Sequence, residues 1–156
     1  MISRTGMHAL NALVSLQHLP AGRYAGAGQI ARQIRAPSNY LGKLLRQLAR
    51  AGIVEGRKGS SGGFRLAGGR HSVSLFDAID PIEHFDRLKV CLLGRPKCRK
   101  SSPCPLHEGW SLIRERFLDF LQTTTLSDLS ENATSKGRRK SGLIDRAARS
   151  AAGGVS

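Results

Sequence analysis

A chain of 156 residues is the size of one domain and can bury about two-thirds of its unfolded surface without disulfide staples. Its formal net charge of +14, from 25 Lys and Arg against 11 Asp and Glu, suits a polyanionic partner and argues against a neutral small molecule as the main one. An odd count of three cysteines, no apolar run near the roughly 18 residues that span a bilayer, and no charged-then-apolar leader argue for a reducing cytoplasm and against any membrane association.

The charge is unevenly spread. Residues 1–71 carry eleven Lys and Arg against the single acid Glu55, residues 72–131 carry eight against nine, and residues 132–156 carry six against one. A near-neutral middle is what a packed, self-associating segment has.

Taken in order, Met7, Leu10, Leu13, Val14 and Leu16 follow the three-and-four spacing of an amphipathic helix from Thr5 to Leu19, ended by Pro20-Ala-Gly. Gln29 to Ile34 makes a helix of barely two turns that stops before Pro37, because the residue before proline disfavours helical backbone. The next helix opens at Pro37 or Ser38, buries Leu41, Leu44, Leu45 and Leu48, and meets Gly52 where a left-handed cap belongs. Lys43, Arg46 and Arg50 lie away from that stripe. Two short helices across a tight turn, the second beginning Ser38-Asn39-Tyr40, form a helix-turn-helix pattern.

Ile53-Val-Glu is then a short strand, Arg57 to Gly63 a turn, and Phe64-Arg-Leu66 a return strand. A glycine turn is by itself an ordinary hairpin. Behind a helix-turn-helix, with Arg57, Lys58 and Arg65 supplying charge, it is a basic wing that lies along phosphates or in a minor groove. Ser74 caps a short helix through Ile79, and the acids Asp77, Asp80, Glu83 and Asp86 are expected on a solvated face.

All three cysteines fall in Cys91-x6-Cys98-x5-Cys104-x2-His107, a segment turned by Gly94, Pro96, Pro103 and Pro105. Arg95, Lys97, Arg99 and Lys100 lie between the thiols, and positive charge favours thiolate, the form that ligates and reacts. Three Cys and one His fit tetrahedral zinc, and they fit a two-iron cluster in which His replaces one thiolate; a reversible disulfide is the third option. Spacing leaves all three open. Beyond it, Trp110, Ile113, Phe117 and Phe120 or Leu121 mark a helix from about Pro105 to Thr124. A small winged domain has little core left for so long a helix, so pairing with a second copy of the chain is expected. From Asn132 onward the chain has no hydrophobic period and carries the basic cluster Lys136 to Lys140, a disordered tail in expectation.

These parts resemble the Rrf-type winged-helix regulators, the family of the IscR-like and NsrR-like sensors. The resemblance covers about residues 1–131. It rests on Ile2-Ser-Arg-Thr-Gly-Met-His-Ala-Leu-Asn-Ala-Leu13, Ser38-Asn-Tyr-Leu41, the Leu-x-x-Ala-Gly-Ile-Val run ending at Val54, and the wing Arg57 to Leu66. The cysteine trio before a Trp-bearing helix and Thr124-Thr-Leu-Ser-Asp-Leu129 complete it. It implies an iron-sulfur cluster held by Cys91, Cys98 and Cys104, with a fourth ligand that varies across the family. In the IscR-like branch that ligand is a histidine placed as His107 is here. In others it comes from the first helix, sometimes of the partner chain, which makes His8 a second candidate. His107 favours two-iron over four-iron. The sequence departs from the family in a first gap of six where five is common, in Gly42 where the IscR-like branch carries a glutamate, and in His8 where a tyrosine is usual.

The expectation is therefore a mainly α fold with a small β-hairpin: a winged helix-turn-helix domain at 1–86, a cysteine-rich loop at 87–107, a dimerisation helix and C-terminal turn at 108–131, and a basic tail at 132–156. The expected function is a homodimeric, DNA-binding transcription regulator, a repressor, sensing redox state, nitric oxide or iron-sulfur status. Asn39 and Tyr40 are the candidates for the operator's base edges, with Ser38 beside them among the DNA-binding residues; Lys43 and Arg46 meet phosphates; Arg57, Lys58 and Arg65 grip backbone or minor groove. The alternatives are a zinc or thiol-disulfide switch on the same scaffold and, more remotely, an iron-sulfur electron carrier. No Ser-His-Asp order, phosphate loop or paired apolar carboxylates mark an enzyme.

Overall fold

The computed structural model describes residues 2–68, 72–93 and 104–129. Cys98, the basic residues Arg95 to Lys100 and the tail at 132–156 lie outside the described residues. In chain order the elements are α1 (Arg4–Gln17), α2 (Ala27–Ile34), α3 (Ser38–Arg50), β1 (Val54–Arg57), β2 (Gly63–Leu66), α4 (Leu75–Glu83) and α5 (His107–Thr123), with a 3-10 turn over Phe85–Lys89. No described helix is long and apolar enough to cross a membrane.

Ser3 caps α1, its Oγ accepting from the Gly6 N–H at 3.0 Å, and α1 turns Ala9, Ala12, Leu13 and Leu16 into the core. Arg35 ends α2 in the left-handed conformation at φ 55°, which folds the chain back within three residues to start α3. The Leu41, Leu44, Leu45 and Leu48 stripe of α3 is buried as its spacing predicts, and Gly52 follows the helix at φ 71°.

The antiparallel hairpin pairs Val54 with Leu66 and Arg57 with Gly63. Two strands alone are marginal in water. This pair is steadied by a third segment, because Ala25 and Phe64 exchange both backbone hydrogen bonds, at 2.9 and 2.8 Å. Gly63 has φ 142°, and a Cβ there would lie 2.4 Å from the Ala25 carbonyl oxygen, so no side chain fits where the wing is fastened to the body.

Ser74 caps α4, accepting from the Asp77 N–H and donating to the Asp77 carboxylate. The helix continues past Ile79 and through Pro81 to Glu83, where His84 at φ 52° ends it. The acidic face expected here is exposed at Asp77 and Asp86, whereas Glu83 is fully buried. Its position explains the difference: Leu75, Ile79 and Glu83 recur at four-residue spacing, so the turn that buries the first two buries the third.

The C-terminal half of α5 joins this core. Leu121 and Leu126 are fully buried, and Phe117 meets Phe85 edge to face at 6.1 Å. The expectation that α5 finds little internal core is thus corrected for its second half. The segment after it is pinned to the start of α4, with the Leu75 N–H on the Thr124 carbonyl at 2.8 Å and the Leu126 N–H on the Val73 carbonyl at 3.0 Å. Along the first half of α5, Leu112 and Ile113 are more than half exposed, at 59% and 53%.

Candidate nucleic-acid interface and cysteine site

Ser38 and Asn39 stand exposed at the start of α3, because Pro37 fixes an extended backbone immediately before the helix. Tyr40 is half-buried, its ring edge to face with His8 of α1, centroids 5.7 Å apart. Lys43, Arg46, Gln47 and Arg50 are exposed along the side opposite the leucine stripe. This helix therefore presents a polar and basic face while its apolar face is locked into the core.

The wing supplies the second cationic element. Arg57 and Lys58 are exposed at the end of β1 and in the turn, and with Arg46, Tyr24 and Phe64 they line one groove between hairpin and α3. Three of the expected phosphate-contacting cations thus share a surface, with aromatic and aliphatic side chains beneath them. Arg65 is placed differently. Its Nη2 and Nε meet Oε2 of Glu55 at 2.7 and 2.8 Å, and its guanidinium lies 4.9 Å from the centre of the Tyr24 ring. The hydrogen bond from Arg65, then the Gly68 N–H, hold the Glu55 carboxyl below its ordinary range, and the same ion pair raises Arg65. Arg65 braces the base of the wing with its charge already matched.

Cys91 and Cys104 are both buried, carry no disulfide, and bring their Sγ atoms to 3.9 Å. Two thiolates bound about 2.3 Å from one tetrahedral centre stand roughly 3.8 Å apart, so the separation fits two ligands of one metal as well as it fits a hydrogen bond between two thiols. The His107 N–H donates to the Cys104 carbonyl at 2.9 Å, which begins α5 three residues after the thiol. Trp110 Nε1–H reaches the Val90 carbonyl at 3.2 Å and ties α5 to the strand of chain entering Cys91. Among the described residues no three His, Cys, Asp or Glu side chains converge on a metal position. The thiol pair is assembled, and the backbone of His107 is bonded to that of Cys104. His8, with its Nδ1 buried and unbonded, lies against the recognition helix instead.

Sequence reasoning missed Glu55, Tyr24 and Ala25 as the wing's supports. The cross-strand Glu55–Arg65 pairing follows once the hairpin register is known; the approach of Tyr24 and Ala25 leaves no local signal.

Residues 2–132 match the model of a family of iron-dependent transcriptional regulators, Rrf2. The chain belongs to the Rrf2 family. It is a DNA-binding transcription regulator and not an enzyme. An Aquifex aeolicus chain assigned as an HTH-type transcriptional regulator is 31% identical over 131 residues, which cover 83% of this chain and 90% of that one. Among solved structures, CymR of B. subtilis, titled a global cysteine regulator, superposes with a TM-score of 0.69 at 23% identity, covering 85% of this chain and 97% of its own. IscR of T. potens gives a TM-score of 0.69 at 21% identity, covering 90% and 93%. These two likenesses carry the fold: Rrf2 winged-helix regulators share this mostly helical body with its two-stranded hairpin.

Proposed function

We propose that this Rrf2 regulator is a cytoplasmic, homodimeric repressor whose operator affinity is set by an iron-sulfur cluster on Cys91, Cys98 and Cys104, with His107 as fourth ligand. The observation that carries the reading is the buried, unbridged thiol pair at 3.9 Å, one helical turn before a histidine and between the winged body and α5. A mixed sulfur and nitrogen donor set favours two-iron over four-iron. When bound, the cluster supplies an electron and ligand-exchange chemistry that redox agents and nitric oxide alter. The same thiol spacing suits zinc, which gives a second reading with no iron.

At the operator, Ser38, Asn39 and Tyr40 enter the major groove, where Asn39 can pair bidentately with adenine. Lys43, Arg46, Arg57 and Lys58 meet phosphates, contributing affinity that falls with salt and carries little sequence information. Arg65 keeps the wing at its angle instead of adding a free charge. Leu112, Ile113 and Phe120, exposed on α5, form the surface for the second copy, which sets the two recognition helices about one DNA turn apart. In this reading the organisation is a winged domain at 1–86, a cluster segment at 87–107, a dimer helix with its turn at 108–131, and a basic tail at 132–156.

The test is an anaerobic ultraviolet-visible spectrum with iron and acid-labile sulfide assays on wild type, Cys98→Ala and His107→Ala. Visible absorbance with iron and sulfide, lost in Cys98→Ala and shifted in His107→Ala, is expected. Protein that stays colourless, iron-free and sulfide-free after reconstitution sinks the cluster and leaves zinc, which elemental analysis then detects.

A further inference from the structure

One buried charge takes no part in DNA or cysteine chemistry as described so far. Glu83 is fully buried at the end of α4, and its two oxygens point to different parts of the chain. Oε1 accepts from the Ser3 N–H at 2.9 Å and the Ser3 Oγ–H at 2.6 Å, and Ser3 is the residue that caps α1. Oε2 accepts from Nη2 of Arg87 at 2.6 Å, and Arg87 sits in the 3-10 turn that runs to Lys89, two residues before Cys91. Among the described residues this is the ion pair whose carboxylate has no exposure, while the arginine side chain is 56% exposed.

We propose that Glu83 is the positioning residue through which the state of the cysteine segment reaches the recognition helix. The inference rests on the reading of that segment as a sensor. A movement at Cys91 pulls on the turn that carries Arg87. A carboxylate sealed in the core is stable there only while its cation and donors are held, so it cannot lose Arg87 and stay as it was. Its other oxygen holds the cap of α1. That helix packs His8 against Tyr40 at the reading end of α3, so a shift in α1 reaches the residues facing the base edges. A second tie runs from α4 itself, where the Pro81 carbonyl, two residues before Glu83, accepts from Gln47 Nε2 on α3 at 2.8 Å. The end of α4 is thus joined to the sensor turn on one side and to α1 and α3 on the other.

Arg87 gives access to this link, since its side chain is largely in solvent and its replacement opens no cavity among the apolar core side chains. The experiment uses the full chain, isolated anaerobically, and a duplex selected from a randomised pool by untreated wild-type protein. Affinity is measured by fluorescence anisotropy before and after treatment with ferricyanide and EDTA, which oxidises thiols and strips iron or zinc, followed by desalting. For wild type the ratio of the two affinities is expected within roughly 5- to 150-fold, the usual range of coupling between sites. In Arg87→Met that ratio collapses toward one while the untreated protein still binds, and Arg87→Lys, which restores a cation, restores it. A purely structural role lowers both affinities together and leaves the ratio unchanged. A wild-type ratio preserved in Arg87→Met overturns the link and spares the sensor reading. A ratio of one in the wild type overturns both.

Discussion

Replacing Gly6 by alanine tests the buried Glu83 contact through a reversal of sign. Alanine is the better helix former by about 1 kcal/mol, so inside an ordinary helix the change stabilises. Here a Cβ at Gly6 would lie 1.9 Å from Glu83 Oε1 and 2.9 Å from Ile2 Cγ2. The carboxylate must withdraw, and with it go the two bonds from Ser3, each worth roughly 1.5–3 kcal/mol because the acceptor is charged. Set against the helical gain, the net loss is about 2–5 kcal/mol, and each kcal/mol moves the melting temperature of a chain this size by roughly 2–4 °C. Urea unfolding followed by circular dichroism measures it, with the midpoint falling and the slope unchanged. A Gly6→Ala protein as stable as wild type, or more so, refutes the placement of Glu83 over α1.

Gly42→Ala is the matched control: the nearest atoms to its Cβ are Ala27 Cβ at 3.8 Å and Arg46 Nη1 at 3.9 Å, ordinary contacts, so stability rises by about 0.5–1 kcal/mol in the same urea titration. Lys58→Ala weakens binding nearly equally on all sequences and reduces the slope of log affinity against log salt by about 1, whereas Asn39→Ala costs about 1–3 kcal/mol of discrimination at one base pair; binding to a panel of single-base operator variants separates the two. The wing brace depends on acid in a defined sense. The Arg65 hydrogen bond holds the folded pKa of Glu55 below that of an ordinary carboxyl, so the stabilisation is complete above the ordinary carboxyl range and is lost as pH falls through the lowered value; amide shifts of the wing followed by NMR report the loss. Wing shifts that move instead near neutrality contradict the pairing with Arg65.

Much of this fold is legible in the sequence because its elements are local. The Leu41 to Leu48 stripe, the Gly52 cap, the Ser74 cap and the glycine hairpin each follow from a spacing or a backbone need confined to a few residues. Glu83 was legible in principle. It continues the Leu75 and Ile79 spacing, and Arg87 waits one turn later, but the neighbouring acids at Asp77, Asp80 and Asp86 make it look like part of a charged face. Contacts between distant segments had no such signal: Ser3 lies eighty positions from Glu83, and Ala25 pairs with Phe64 through backbone alone. At the cysteine site, composition pointed to the segment, while the nearness of Cys91 and Cys104 joins positions thirteen apart, beside the contact of Trp110 with Val90.

The pinning of the chain after α5 onto the start of α4 has an architectural consequence. Ser74 and Thr125 bridge, Thr124 and Leu75 share a hydrogen bond, and between them the chain makes a closed circuit that leaves the body and returns to it. Both stems of the circuit are clamped, at its base by those bonds and nearer its far end by Trp110 on Val90. The described residues on either side of the span from Leu93 to Cys104 are thus held by the fold, and a loop between fixed ends pays a closure entropy that grows only slowly with its length.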